Sequence, residues 1–180
     1  FVDLIIGDMQ YKLFESKIAD LVLDVSDNLS NKSKDMKPNP KNKSFSTLNN
    51  PRALLLHNDL LYISDTSNNR ILECTIEGHI KRTFGNGLAL NMDGIASEAA
   101  FNRPVGLCQS REYLYVADTG NHAVRRIRLL DGFVDTVLGN GAPGRPDKKV
   151  VSDYQEIQFN NPTDICVMQE SLVVADSGNN

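Results

Sequence analysis

The sequence holds no tryptophan, and its three cysteines (Cys74, Cys108, Cys166) are odd in number, far apart and without a Cys-x-x-Cys. That usage excludes a disulfide framework and a cysteine-rich zinc site, and it suits a reducing compartment, so a cytoplasmic location is expected. No apolar run approaches the ~20 residues that a bilayer-spanning helix needs. Neither sign of charge dominates: 19 basic against 23 acidic side chains leave the 180-residue chain at −4, a poor starting point for binding a polyanion. Missing too are Gly-x-Ser-x-Gly, a phosphate loop and His-Glu-x-x-His. His57, His79 and His122 are too scattered for a zinc set. No cofactor and no metal is expected.

What the sequence does have is repetition. Leu48-Asn49-Asn50-Pro51, Phe101-Asn102-Arg103-Pro104 and Phe159-Asn160-Asn161-Pro162 share the form apolar-Asn-x-Pro, with prolines 53 (104 − 51) and 58 (162 − 104) positions apart. Each is followed by a strand-like run into Asp: Tyr62 to Asp65, Tyr115 to Asp118 and Val173 to Asp176. The interval from proline to aspartate is 14 in all three copies (65 − 51, 118 − 104, 176 − 162). The second copy reads as strands over 105–109, 113–117, 123–129 and 134–138, with a turn at Asp118-Thr119-Gly120-Asn121 and a tight hairpin signal at Asp131-Gly132. Four short antiparallel strands per unit, at a period of roughly 40–60, are the pattern of a propeller blade.

The two motifs, together with the run from Tyr115 to His122 into Arg125-Arg126-Ile127, resemble the NHL repeat over about residues 48–180. The spacers 93–98 and 101–104 are similar to those of one animal subgroup of that family. The resemblance implies a mainly β fold: an incomplete NHL-type β-propeller, two blades and the start of a third, across residues 48–180. It also implies that residues 1–28 are the last strand and helix of a thioredoxin-like α/β domain. By its own pattern this segment is an apolar run, Phe1 to Ile6, followed by Phe14, Ile18, Leu21, Val22, Val25 and Leu29 at helical spacing, and it fits any α/β remnant. Residues 29–47, rich in Lys, Asn, Ser and Pro, read as a flexible linker. The chain opens on Phe1 and stops at Asn180 inside the third copy, so it reads as a piece of a longer protein.

Asp65, Asp118 and Asp176 invite a metal reading, but a scaffold feature recurs in every copy whereas a site breaks the symmetry. They are expected to build turns by accepting the following backbone N–H groups, with Asn68, Gly120, Asn121 and Gly178 as fellow turn residues, Gly or Asn taking the left-handed conformation. His122 stands where the other copies have Asn69 and Asn180 and reads as a polar turn residue. With Arg125 and Arg126 it forms the candidate interaction set. Some NHL propellers bind RNA through a basic face, yet residues 50–180 carry 12 basic and 16 acidic side chains. A solvated strand with ion pairs is therefore expected over Arg125 to Arg128. The cysteines, set in apolar stretches, are expected in the core. The last sheet is expected to leave Ile165, Val167, Leu172 and Val174 on an uncovered face.

The function expected is a non-catalytic scaffold for a protein partner, monomeric when the propeller is complete, with neither membrane nor nucleic acid as ligand. The spacers 86–100 and 140–158 are the expected contact loops. Two other readings stand beside it. One is thiol–disulfide oxidoreductase activity carried by cysteines upstream of this stretch; the other is RNA binding through a propeller face. A propeller lyase of the peptide-amidating type would need a histidine set that this chain does not offer.

Overall fold

The computed structural model describes residues 48–144, 157–169 and 171–179, all within one compact unit, Leu48–Asn180. The expectations for residues 1–28 and 29–47, and for the middle of the second spacer, lie outside the described residues.

Among the described residues, ten strands make three antiparallel sheets. The first holds β1 (Pro51–His57), β2 (Leu60–Asp65), β3 (Arg70–Thr75) and β4 (Ile80–Phe84) in that spatial order. The second repeats the order with β5 (Pro104–Ser110), β6 (Tyr113–Asp118), β7 (Ala123–Arg128) and β8 (Val134–Leu138). Of the third, β9 (Pro162–Met168) and β10 (Ser171–Asp176) form a pair. Simple up-and-down order follows from short connections, each strand pairing with its sequence neighbour.

The constant interval of 14 has a direct structural cause. Pro51 pairs with Asp65, Pro104 with Asp118 and Pro162 with Asp176, the first residue of one strand against the last of the next. Proline suits that opening position because it has no ladder N–H to give. A register shift between Pro51 and Leu54, and again between Pro104 and Leu107, bends the strand just inside the pair. At the other end, Asn58 and Asp59 both lie at positive φ, 48° and 58°, and close a two-residue turn between His57 and Leu60.

The hairpin expected at Asp131-Gly132 is longer than a two-residue turn. Arg128 N–H donates to Phe133 C=O at 2.9 Å and Gly132 N–H to Arg128 C=O at 2.7 Å, so residues 129–132 make the bend.

Strand alternation sends side chains to both faces of the middle sheet, and both faces are apolar. Leu114, Val116, Ile127 and Val134 pack with Tyr62, Ile71 and Phe84 of the first sheet, with Phe101 between them. Ala117 and Val124 pack with Phe159 and Ile165 of the third. The apolar residue that opens the apolar-Asn-x-Pro motif is thus a core plug between successive sheets. Because Ile165, Leu172 and Val174 join this cluster, the expected exposed face is corrected. β9 and β10 turn those residues inward, and the face that stands open carries Cys166, Met168 and Val173. The cysteines divide likewise: Cys74 is buried, Cys108 half-buried and Cys166 exposed, so the core expectation does not hold for Cys166.

Candidate functional site

After β2 and β6 the chain makes a single 3₁₀ turn, Thr66–Asn68 and Thr119–Asn121, closed by Asn69 and His122 in the left-handed conformation. The turn aspartates do not cap the following N–H groups, contrary to expectation. They reach back to the other motif. Asn49 N–H donates to Asp65 Oδ1 at 2.7 Å, Asn102 N–H to Asp118 at 2.8 Å and Asn160 N–H to Asp176 at 2.7 Å. The second carboxylate oxygen accepts from the amide three residues on: Asn68 at 2.8 Å, Asn121 at 2.7 Å and Asn179 at 2.6 Å. The motif asparagine returns the contact, its Nδ2 donating to Gly120 C=O and, in the third copy, to Gly178 C=O, both at 3.0 Å. Gly120 is not the left-handed residue. Its value is closeness, since a Cβ there would meet Asn102 C=O at 2.7 Å. Ser67 holds that place in the first copy, where the corresponding N–H to C=O distance opens from 2.8 to 3.0 Å.

A buried carboxylate needs a cation, and the first two copies supply it differently. Arg70 Nε donates to Asp65 at 2.7 Å. In the second copy Ala123 stands opposite Asp118 in the register position of Arg70, and Arg125 serves instead, with Nη1 3.1 Å from Asp118. Arg125 is 0% exposed. It also donates to Ala100 C=O, Met92 C=O and Asp93, all at 2.8–2.9 Å, and lies 5.3 Å from the Phe101 ring centroid. The solvated-strand reading and the candidate interaction role of Arg125 are therefore corrected: its guanidinium is an internal tie. Its Nε is buried without a partner. Arg126 and Arg128 are accessible, but each is paired, with Asp135 and Asp131 respectively. Arg126–Asp135 occupies the register positions of Glu73–Arg82 in the first sheet with the charges exchanged.

Burial pushes the Asp118 carboxyl up to about 6, against the opposing pull of Arg125, the Asn102 N–H and Asn121. His122 is half-buried, and its Nδ1 accepts from Asn161 N–H at 3.1 Å. Burial first, and then Arg103, hold its pKa below the ordinary imidazole value. Among the described residues no group of three or more His, Cys, Asp or Glu is placed to hold a metal. No described helix is long and apolar enough to cross a membrane. A cleft of about 160 Å³ opens between the β5–β6 and β9–β10 hairpins, edged by Tyr113, Tyr115, Val167 and Leu172.

The first spacer, one of the two expected contact loops, is held by its neighbours. Its ends are pinned: Gly85 N–H donates to Ala96 C=O, Asn86 N–H to Ala99 C=O and Gly94 N–H to Val134 C=O. Asp93 accepts from Thr136 Oγ1 as well as from Arg125. On this frame Leu88, Leu90, Met92 and Ile95 are 58%, 49%, 40% and 51% exposed. Asn121 Nδ2 donates to Leu90 C=O at 2.9 Å, joining the spacer to the turn. A signal for this anchoring was present in the sequence. Phe84-Gly85-Asn86-Gly87 and Leu138-Gly139-Asn140-Gly141 open the two spacers with the same apolar-Gly-Asn-Gly, 54 positions apart (138 − 84).

No protein-family model matches the chain. Over 105 residues it is 40% identical to NHL repeat-containing protein 2 of Gallus gallus and 38% identical to that of Bos taurus, which covers 58% of this chain and 14% of each relative. A 96-residue match, 48% of this chain, is 40% identical to 8% of the Arabidopsis thaliana protein SUPPRESSOR OF QUENCHING 1, chloroplastic. The chain thus spans about one seventh of the length of the animal relatives. A Bacteroides thetaiotaomicron protein of unknown function has a TM-score of 0.58 at 27% identity, over 65% of this chain and 30% of that one. An auxiliary nutrient binding protein from the same organism has a TM-score of 0.60 at 21% identity, over 70% and 35%. The latter is a likeness of fold alone: mainly β, antiparallel and propeller-like.

Proposed function

The chain is related to the NHL-repeat proteins, and from that premise we propose that residues 48–180 are part of a β-propeller that holds a protein partner and carries out no chemistry itself. The carrying observation is the first spacer, a backbone pinned to Val134 and Arg125 that presents Leu88, Leu90, Met92 and Ile95 outward. A rigid loop with several exposed large apolar side chains binds protein surface at little ordering cost. Residues 1–28 are assigned to the end of a thioredoxin-like domain and 29–47 to a linker, in a cytoplasmic protein that is monomeric when complete. Nucleic acid is disfavoured because Arg126 and Arg128 are already paired and Arg125 is internal.

The test replaces Leu88, Leu90 and Ile95 by serine in the full-length protein and follows proteins cross-linked from an adjacent spacer position. A cross-linked protein should disappear while the melting midpoint stays put. Retention of that protein by the variant would refute the loop as the contact surface.

A further inference from the structure

The two junctions between successive sheets are closed by the same contact made with different chemistry. At the first, Asn69 Oδ1 accepts from Arg103 N–H at 2.9 Å; at the second, His122 Nδ1 accepts from Asn161 N–H at 3.1 Å. Both acceptors end the 3₁₀ turn in the left-handed region, with φ of 52° and 50°. Both donors immediately precede the proline that opens a strand. The two sites are therefore equivalent in backbone and differ in the acceptor. A carboxamide oxygen accepts at every pH. An imidazole Nδ1 accepts only while the ring is neutral, with its proton on Nε2.

We infer that the second junction is a pH-gated joint, loosened when His122 is protonated at Nδ1, whereas the first junction, held by Asn69, is indifferent to pH. Protonation sets the new Nδ1–H against the Asn161 N–H, two donors with no acceptor between them. Among the described residues, the charged groups that act on the ring are Arg103, from the turn before β5, and Asp176, at the end of β10. Its own turn begins at Asp118, which is engaged with Arg125. Arg103 opposes protonation and Asp176 favours it, and with burial the net effect is a folded-state pKa below the ordinary 6.5. The contribution of the joint is therefore complete above about 6.5 and lost as the pH falls through the lower folded value. Thr119 Oγ1 still donates to Pro162 C=O at 2.7 Å, so the sheets loosen at Asn161 without separating.

Amide hydrogen exchange on the full chain, corrected for its intrinsic pH dependence, tests this at two residues between about pH 7.5 and about pH 5. Asn161 should lose about tenfold in protection, the worth of one hydrogen bond, while Arg103 keeps its own. His122→Asn should abolish the loss at Asn161, and Asn69→His should create one at Arg103. Undiminished protection of Asn161 at the lower pH overturns the proposal. So does an equal loss at both amides, or a loss that persists in His122→Asn.

Discussion

Asp118 is a carboxylate whose surroundings do two opposite things. Burial raises its pKa from 3.8 to about 6, so this group's contribution is complete below 3.8 and is lost as the pH rises through about 6. Its negative charge is nonetheless what a wholly buried guanidinium is paired with. Asp118→Ala would leave Arg125 with Asp93, half exposed, as its remaining carboxylate. The expected loss is about 3 kcal/mol, read in a urea melt, because an incompletely compensated buried charge is costlier than a missing hydrogen bond. Asp118→Asn should also lack the decline in stability as the pH rises through about 6. Asp131, exposed and paired with Arg128, is the contrast: its removal should barely move the midpoint. Equal losses at the two positions would mean that burial of the Asp118–Arg125 pair is not what makes it matter.

At the scale of elements, the join between the last strand of a sheet and the next spacer is set by glycine. Gly85 and Gly139 lie at φ of 104° and 91°, and a Cβ there would stand 2.9 Å from Asn69 C=O and 2.6 Å from His122 C=O. The end of the fourth strand is tucked against the 3₁₀ turn of its own sheet, which is why apolar-Gly-Asn-Gly recurs. Gly139→Ala should cost about 2–4 kcal/mol, from left-handed strain together with overlap on backbone that cannot retreat. Gly78, at a φ of 91° in the β3–β4 turn, provides the comparison. If Gly78→Ala and Gly139→Ala lowered the urea midpoint equally, close packing of the turn would have no part in the effect.

Across the described sheets, the faces turned toward one another are buried, and the three cysteines sit at different depths. Cys74 is buried and its thiol pushed up to about 11, chiefly by burial. Cys108 is half-buried, raised for the same reason, and its Sγ accepts from Val167 N–H at 3.2 Å. Cys166 stands on the open face of β9 and β10 with Met168 and Val173. In the 180-residue chain a thiol reagent should therefore modify Cys166 first, Cys108 more slowly and Cys74 only on unfolding. Mass mapping of the labelled sites would show it. Protection of Cys166 in a monodisperse sample would mean that this face is covered in solution.

The local structure was legible in the residues alone. Strand runs such as Tyr113 to Asp118, the turns after Asp65 and Asp118, and the proline–aspartate interval are hairpin properties, set by side-chain alternation and by contacts at most 18 positions apart. Partnership between repeats was not legible. Arg125 reads as one of three surface arginines, and only the approach of Asp93, 32 positions away, together with the cover of Phe101, makes it an internal tie. Ile165 and Val167 alternate with Cys166 and Met168, all apolar, so a period of two cannot say which set meets the second sheet. His122 is interchangeable with asparagine as a turn residue, and it is Asn161, 39 positions on, that makes its Nδ1 an acceptor. Alternation assigns a side chain to one of two faces, but which face a neighbour covers depends on how the sheets stack, and that stacking is decided by the tertiary structure.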